Sequence, residues 1–200
     1  MATGDCTFFV DARDPPSKQE ILKAALVLFV RDGLCETSIR DIANASGFSN
    51  PALYKFFGTK DQLALYLFER CYLRLYANIK AATADRKTFA ERLHHMLLRY
   101  AELLDEQADA VLLVHENLRH FWPRVTPATC RLSLLGLQMR WVEQGQREGA
   151  VRSDVNPKVL VAAMTGITGQ FARMFYFHEF SSPAVKWMPE IERLLLKAAG

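Results

Sequence analysis

The chain of 200 residues has no apolar run that approaches the roughly 18 or more residues of a membrane-spanning helix, so no membrane span is expected. Its first residues, Met1 to Asp11, lack a basic segment ahead of an apolar one. A secretory signal is therefore not expected, and the cytoplasm is the expected location. Cysteine is scarce: Cys6, Cys35, Cys71 and Cys130 stand far apart with no C-x-x-C, which argues against both a zinc site and a small disulfide framework. There is no internal repeat, no low-complexity run and no stretch that alternates convincingly as a strand. Charge of one sign is also missing where a nucleic-acid binder would be expected to show it. Residues 1–60 hold seven Lys/Arg (Arg13, Lys18, Lys23, Arg31, Arg40, Lys55, Lys60) and seven acids (Asp5, Asp11, Asp14, Glu20, Asp32, Glu36, Asp41), so 7 − 7 = 0. Bulk charge there carries no argument, although the whole chain is +3.

Catalytic signatures are lacking as well. No G-x-S-x-G, H-E-x-x-H, G-x-G-x-x-G or P-loop occurs. Glu91-x-x-His94 has the spacing of a di-iron ligand pair on a bundle helix, but the second such pair that a site of this kind needs is absent. His115, Glu116, Arg119 and His120 cluster without a recognisable nucleophile and read as one turn of helix surface. No enzyme activity, cofactor or metal is expected.

What is present is helical periodicity over nearly the whole length, with half the residues hydrophobic and a core therefore available. Residues 1–14 read as a mobile tail closed by Pro15-Pro16. Ser17-x-x-Glu20 predicts a capping box opening a first helix that ends at Asp32-Gly33. Thr59-x-x-Gln62 predicts another, opening a long helix to about Ala82. Further helices are predicted over about Thr88 to Glu106 and Asp109 to His120. Another follows the Thr126-Pro127 loop to about Glu148, with Cys130, Leu134, Leu137 and Trp141 on one side. Asn156-Pro157 opens a helix to about Phe180, and a last one ends near Ala199, for about nine in all.

The informative stretch is Thr37 to Lys60. Thr37 or Ser38 can cap a short helix striped by Ile39, Ile42 and Ala43, and Gly47 suits a left-handed helix end. Asn50 can cap a second short helix, with Pro51 in its first turn and Leu53, Phe56 and Phe57 on its apolar face. Helices this short need a third to pack on. A typical reason to present such a pair is to lay the second in a DNA major groove.

In its ordered features, Thr37, Ile42-Ala43, Gly47-Phe48-Ser49, Leu53-Tyr54, Phe57 and Lys60-Asp61, this stretch resembles the DNA-binding segment of TetR/AcrR transcription regulators. The match covers about residues 17 to 75 and implies an all-α fold. Residues 15–75 would form the helix-turn-helix domain (motif about 38–57), and 76–200 a helical bundle for effector binding and dimerisation. By position, Ser49, Asn50, Pro51, Ala52 and Lys55 would face the groove and Arg40 its edge, with Tyr54, Thr37, Ser38 and Lys60 on phosphates. Two positions depart from the family pattern: Asn50, where a cation is common, and Phe56, where His or Tyr is frequent.

The resemblance further implies a homodimer on a palindromic double-stranded operator, repression released by a small molecule, and a long fourth helix as the moving link. Tyr100, His115, Trp122, Trp141, Phe171 and Phe175 are candidates for the effector pocket. Their character favours a ligand with an apolar or aromatic body. Small residues Ala162, Ala163, Gly166 and Gly169 make the eighth helix a candidate dimer contact. The alternative reading is a helical protein-interaction module that does not bind DNA.

Overall fold

The computed structural model describes residues 8–200, and among them no strand occurs. The α-helices in chain order are α1 (Pro16–Arg31), α2 (Ile39–Ser46), α3 (Asn50–Tyr54), α4 (Lys60–Thr83) and α5 (Phe89–Phe121). They continue with α6 (Pro127–Cys130), α7 (Leu134–Arg147), α8 (Pro157–Tyr176) and α9 (Met188–Ala199). The chain divides into two compact units: residues up to Arg74 with Asp109–Cys130, and Leu75–Ala108 with Arg131–Gly200.

Several boundaries differ from the sequence reading, each for a local reason. α1 starts at Pro16, with Pro15 ahead of it and no side-chain cap, so Ser17 and Glu20 form no capping box. Proline at the first helical position has no N–H to satisfy, and a cap is dispensable there. Residues 8–14 are not a tail: Phe9 and Val10 are buried, and Asp11 pairs with Arg13 and lies 3.5 Å from Arg70. Residues 1–7 and Cys6 lie outside the described part. The two helices expected on either side of residues 107–108 are one run, α5, interrupted where Gln107 takes φ −145°, ψ 44°. The helix expected from Thr126-Pro127 onward is broken: α6 stops at Cys130 and α7 restarts at Leu134, where the Ser133 hydroxyl accepts the Gly136 N–H. Cys130 is thereby exposed instead of sharing a face with Leu137 and Trp141. α8 ends at Tyr176 rather than Phe180, with His178 at positive φ.

In the first unit the core gathers Ile21, Leu22, Ile42, Leu53, Leu63, Leu67, Phe68 and Phe121, all essentially inaccessible. Phe68 packs on Phe121 and Tyr72 on Trp122, with ring centroids 5.3 and 4.8 Å apart. In the second unit α7 and α8 pack together, and Leu93, Leu97, Leu103, Val142 and Met164 are buried. Here Glu91, once a candidate metal ligand, has a structural use. Its carboxylate accepts the Thr88 and Lys87 N–H groups while Thr88 Oγ1 accepts the Glu91 N–H, a capping box that opens α5. Those N–H groups favour the charged form and hold the Glu91 carboxyl below its ordinary range. His94 Nδ1 meets Glu192 at 2.8 Å, and no group of three or more metal-ligating side chains exists among the described residues.

Candidate nucleic-acid interface

The surface begins with how α2 is held. Ser38 caps it: its hydroxyl oxygen accepts the Asp41 N–H at 3.2 Å, and the Asp41 carboxylate accepts the Ser38 N–H at 2.8 Å and hydroxyl at 2.6 Å. These bonds to Ser38 hold the Asp41 carboxyl below its ordinary range. At the other end Gly47 takes φ 75°, and the Phe48 N–H reaches back to the Ala43 carbonyl at 3.1 Å. A left-handed residue is needed there, and glycine adopts it without a Cβ penalty.

Ser49, not Asn50, flanks the start of α3. Its backbone is extended, and its carbonyl accepts the Ala52 and Leu53 N–H groups. Asn50 and Pro51 occupy the first turn, and the Asn50 side chain makes no cap. Leu53 and Phe57 face inward while Ser49, Asn50, Pro51, Tyr54 and Lys55 are exposed and Ala52 half-buried. Pro51, Tyr54 and Lys55, at i, i+3 and i+4, share one outward face, and Tyr54 keeps 52% of its surface accessible. Arg40 is exposed on α2.

Electrostatics then separates the cations. Arg13, Lys18, Lys23 and Arg31 each pair with a nearby carboxylate: Asp11, Asp14, Glu20 and Asp32. Neither Arg40 nor Lys55 forms an ion pair among the described residues. Two phosphate candidates fall away. Thr37 is 2% exposed, its hydroxyl donating to the Gly33 and Leu28 carbonyls at 2.8 and 3.2 Å. Lys60 is spent inside the protein, Nζ donating to the carbonyls of Leu34 (2.6 Å), Thr37 (2.7 Å) and Cys35 (3.3 Å). It holds the 34–37 turn against the start of α4.

Contacts between residues distant in sequence escaped the sequence reading. Asp61, at the start of α4, is bound by the Arg124 guanidinium, with one bond of 2.9 Å, and His120 lies 3.7 Å away. Chiefly the Arg124 hydrogen bond keeps the Asp61 carboxyl below its ordinary range. Glu69 accepts the Thr126 N–H at 2.7 Å. Separations of 63 and 57 residues leave no periodic trace in a sequence.

Residues 21–67 match the family described as bacterial regulatory proteins, tetR family. Those residues therefore carry a helix-turn-helix segment of the TetR type. Over 144 residues, 70% of each chain, the protein is 26% identical to the HTH-type transcriptional repressor KstR2 of Rhodococcus jostii. The fold is shared with the ketosteroid transcriptional regulator KstR2 of Mycobacterium tuberculosis, with a TM-score of 0.79 at 19% identity, covering 95% of this chain and 98% of that one. It is shared too with the regulator FadR of Bacillus subtilis, solved in complex with stearoyl-CoA, with a TM-score of 0.73 at 13% identity over 92% and 100%. This chain is thus a DNA-binding transcriptional regulator, all-helical among its described residues, with a TetR-type helix-turn-helix in the first unit.

The candidates for a TetR-type effector pocket are divided between the two units. His115 and Trp122 fall in the first unit, and Tyr100, Trp141, Phe171 and Phe175 in the second. Tyr100 is a buried core group whose hydroxyl donates to the Thr168 carbonyl at 3.0 Å; burial pushes that phenol well above its ordinary range. Trp141 and Phe175 are buried as well. Phe171 alone of the six lines the groove of about 550 Å³ that runs along α8 and α9, beside Gly166, Met174, Phe180, Trp187 and Leu194. The small-residue stripe on α8 also divides: Ala162 and Gly166 are exposed, Ala163 is half-buried, and Gly169 is turned into the protomer's interior. A helix of 3.6 residues per turn places Gly169 off the Ala162–Gly166 line.

Proposed function

We propose that this regulator is a homodimeric repressor that grips a palindromic double-stranded operator and lets go when a small molecule enters its second unit. The observation that carries the DNA half is the open face of α2 and α3. There the two cations without ion pairs, Arg40 and Lys55, stand with Ser49, Asn50, Pro51 and Tyr54 exposed, over Leu53 and Phe57 packed beneath. Asn50 and Lys55 suit base edges, adenine N6/N7 and guanine O6/N7, and the half-buried Ala52 suits a thymine methyl. Tyr54, Ser38 and Arg40 suit phosphates at the groove edge. The functional division follows the two units, with Asp109–Cys130 belonging to the DNA-binding side.

Dimerisation is assigned to the α8–α9 face. Val159 and Leu194 leave 58% and 57% of their surface accessible there, beside Ala162 and Gly166. Two recognition helices about 34–36 Å apart would then meet successive major grooves. The effector favours whichever state cannot span both half-sites. An effector with a large apolar body is supported by the aromatic content of the second unit. It is supported also by the relatives' names, a ketosteroid regulator and a regulator holding stearoyl-CoA.

A gel shift on DNA flanking the chain's own gene is the test. A complex that resists excess unrelated DNA and is released by apolar-bodied compounds is expected. Binding with no sequence preference would overturn the DNA reading. Release by small, fully hydrophilic compounds alone would overturn the effector reading.

A further inference from the structure

The largely apolar interior of the second unit carries buried polar groups on α5, α7 and α8 as well as Thr83 on α4. Two of its polar groups are satisfied: the Thr168 hydroxyl donates to the Met164 carbonyl at 3.0 Å, and the Tyr100 hydroxyl to the Thr168 carbonyl at 3.0 Å. Gln138 on α7 is different. It is 6% exposed, its Nε2 donates only to the Met96 thioether at 3.2 Å, and its Oε1 is buried with no partner among the described residues. A thioether is a weak acceptor, and an amide carbonyl in an apolar interior has lost its water for nothing in return. Leucine in the same place would avoid that loss, and a buried group left so in a folded protein calls for a reason.

We propose that Gln138 is the polar reading group of the effector site: its Oε1 accepts a hydrogen bond from a hydroxyl on an otherwise apolar, uncharged portion of the effector, seated among α5, α7 and α8. This rests on the effector reading above and adds the chemistry of recognition. Met96 is the side chain that gives way. It is unbranched with three rotatable bonds and surrenders only a sulfur contact. One turn away on the same helices stand the buried Tyr100 and Trp141, whose rings would flank an apolar body seated there. Among the described residues, buried polar side chains of this unit such as Thr83, Tyr100, Gln138 and Thr168 are uncharged at neutral pH, Tyr100 because burial raises its phenol. A charged group brought to Gln138 would be desolvated among uncharged buried side chains, so the portion that reaches it is neutral. Once Met96 moves, an alcohol can donate to Oε1 and accept from the released Nε2, whereas a ketone serves Nε2 alone and a hydrocarbon neither, so Oε1 selects the alcohol.

The test uses three matched probes, cyclooctanol, cyclooctanone and cyclooctane, on the full chain. Binding is read by thermal shift and by the side-chain NH₂ resonances of Gln138, assigned from their loss in Gln138→Leu. Cyclooctanol is expected to stabilise the protein and move those resonances. Gln138→Leu, with Gln138→Met as a second apolar variant, is expected to bind the alcohol roughly tenfold more weakly, the worth of one buried hydrogen bond, with hydrocarbon binding unchanged. The proposal is overturned if none of the three probes binds, if the ketone or the hydrocarbon stabilises as well as the alcohol, or if the variants keep the preference. An ordered water bridging Oε1 to a second protein group in a high-resolution structure would overturn it too, since the amide would then be a satisfied core group. A gel shift run alongside separates the two readings. Alcohol bound through Gln138 without effect on operator binding supports the Gln138 site and sinks the effector reading. Operator release by other compounds that is identical in Gln138→Leu does the reverse.

Discussion

At the scale of single residues, the seven cations of the first sixty positions illustrate how little a side chain's type says about its use. Lys55 and Lys60 look equivalent in the sequence, five positions apart, yet one is exposed and the other is closed around three carbonyls. Lys55→Ala and Asn50→Ala are each expected to cost about 1–3 kcal/mol at the true operator and to relax preference at one base pair. Binding measured against a set of singly altered operators checks this. An unchanged base preference in Lys55→Ala would mean that another face of α3 enters the groove. Lys60→Met should behave oppositely. It loses hydrogen bonds from a charged donor, worth about 1–3 kcal/mol of folding stability, and the half-buried ammonium places it toward the lower end. Thermal unfolding should fall while the salt slope of DNA binding stays unchanged. A slope reduced by about one per protomer would restore Lys60 as a phosphate ligand.

At the scale of elements, the helices were legible wherever a local signal set them. The Ser38 cap, the Gly47 end and the Asn156 cap, whose side chain accepts the Lys158 N–H, are written within a few residues of where they act. Boundaries decided by competition were less so. At Pro15-Pro16 proline geometry displaced the Ser17 cap, and Ser133 restarted a helix that apolar spacing alone would have carried through from Cys130. Of the site, the exposed face of α3 could be read by position. The fates of Thr37 and Lys60 could not, because their partners lie 4 to 26 residues away and are backbone carbonyls. The interruption of α5 at Gln107 carries a prediction of its own. Asp109, just beyond it, is partly desolvated, which raises its pKa above the ordinary carboxylate value. A carboxyl with a raised folded pKa binds more protons folded than unfolded between the two pKa values, so stability falls as pH rises through that window. Asp109→Asn should therefore be more stable than the wild type at neutral pH, the difference vanishing below the unfolded carboxylate range. Denaturant unfolding at pH 7 and at pH 3.5 checks this, and a constant difference would trace the effect to packing instead of charge.

At the scale of the whole molecule, two protomers that each bring Arg40 and Lys55, outside any ion pair among the described residues, to the α2–α3 face should neutralise few phosphates. The slope of log K against log salt is expected near −3 to −6, at roughly −0.9 per phosphate, and a slope near −10 would demand contacts beyond α2 and α3. That expectation presupposes a dimer, and Gly166 can test it cleanly. A glycine inside a helix costs about 1 kcal/mol against alanine, so an isolated protomer gains by replacing it. Within this protomer a Cβ at Gly166 would meet nothing within 4 Å. The first side-chain carbon of Gly166→Leu therefore meets no obstacle at home, and a monomer is expected to tolerate the substitution. Across a two-fold axis the same leucine appears twice, opposite the surface that Ala162, Val159 and Leu194 leave exposed. Overpacking there costs typically 1–3 kcal/mol per site. Size-exclusion chromatography with light scattering should show Gly166→Leu shifted toward monomer at micromolar concentration, its circular dichroism still helical. Operator affinity should fall because a single half-site holds weakly. A variant that stays dimeric at full affinity would place the two-fold contact away from this face of α8, and the exposed apolar groups along α8 and α9 would then need another partner.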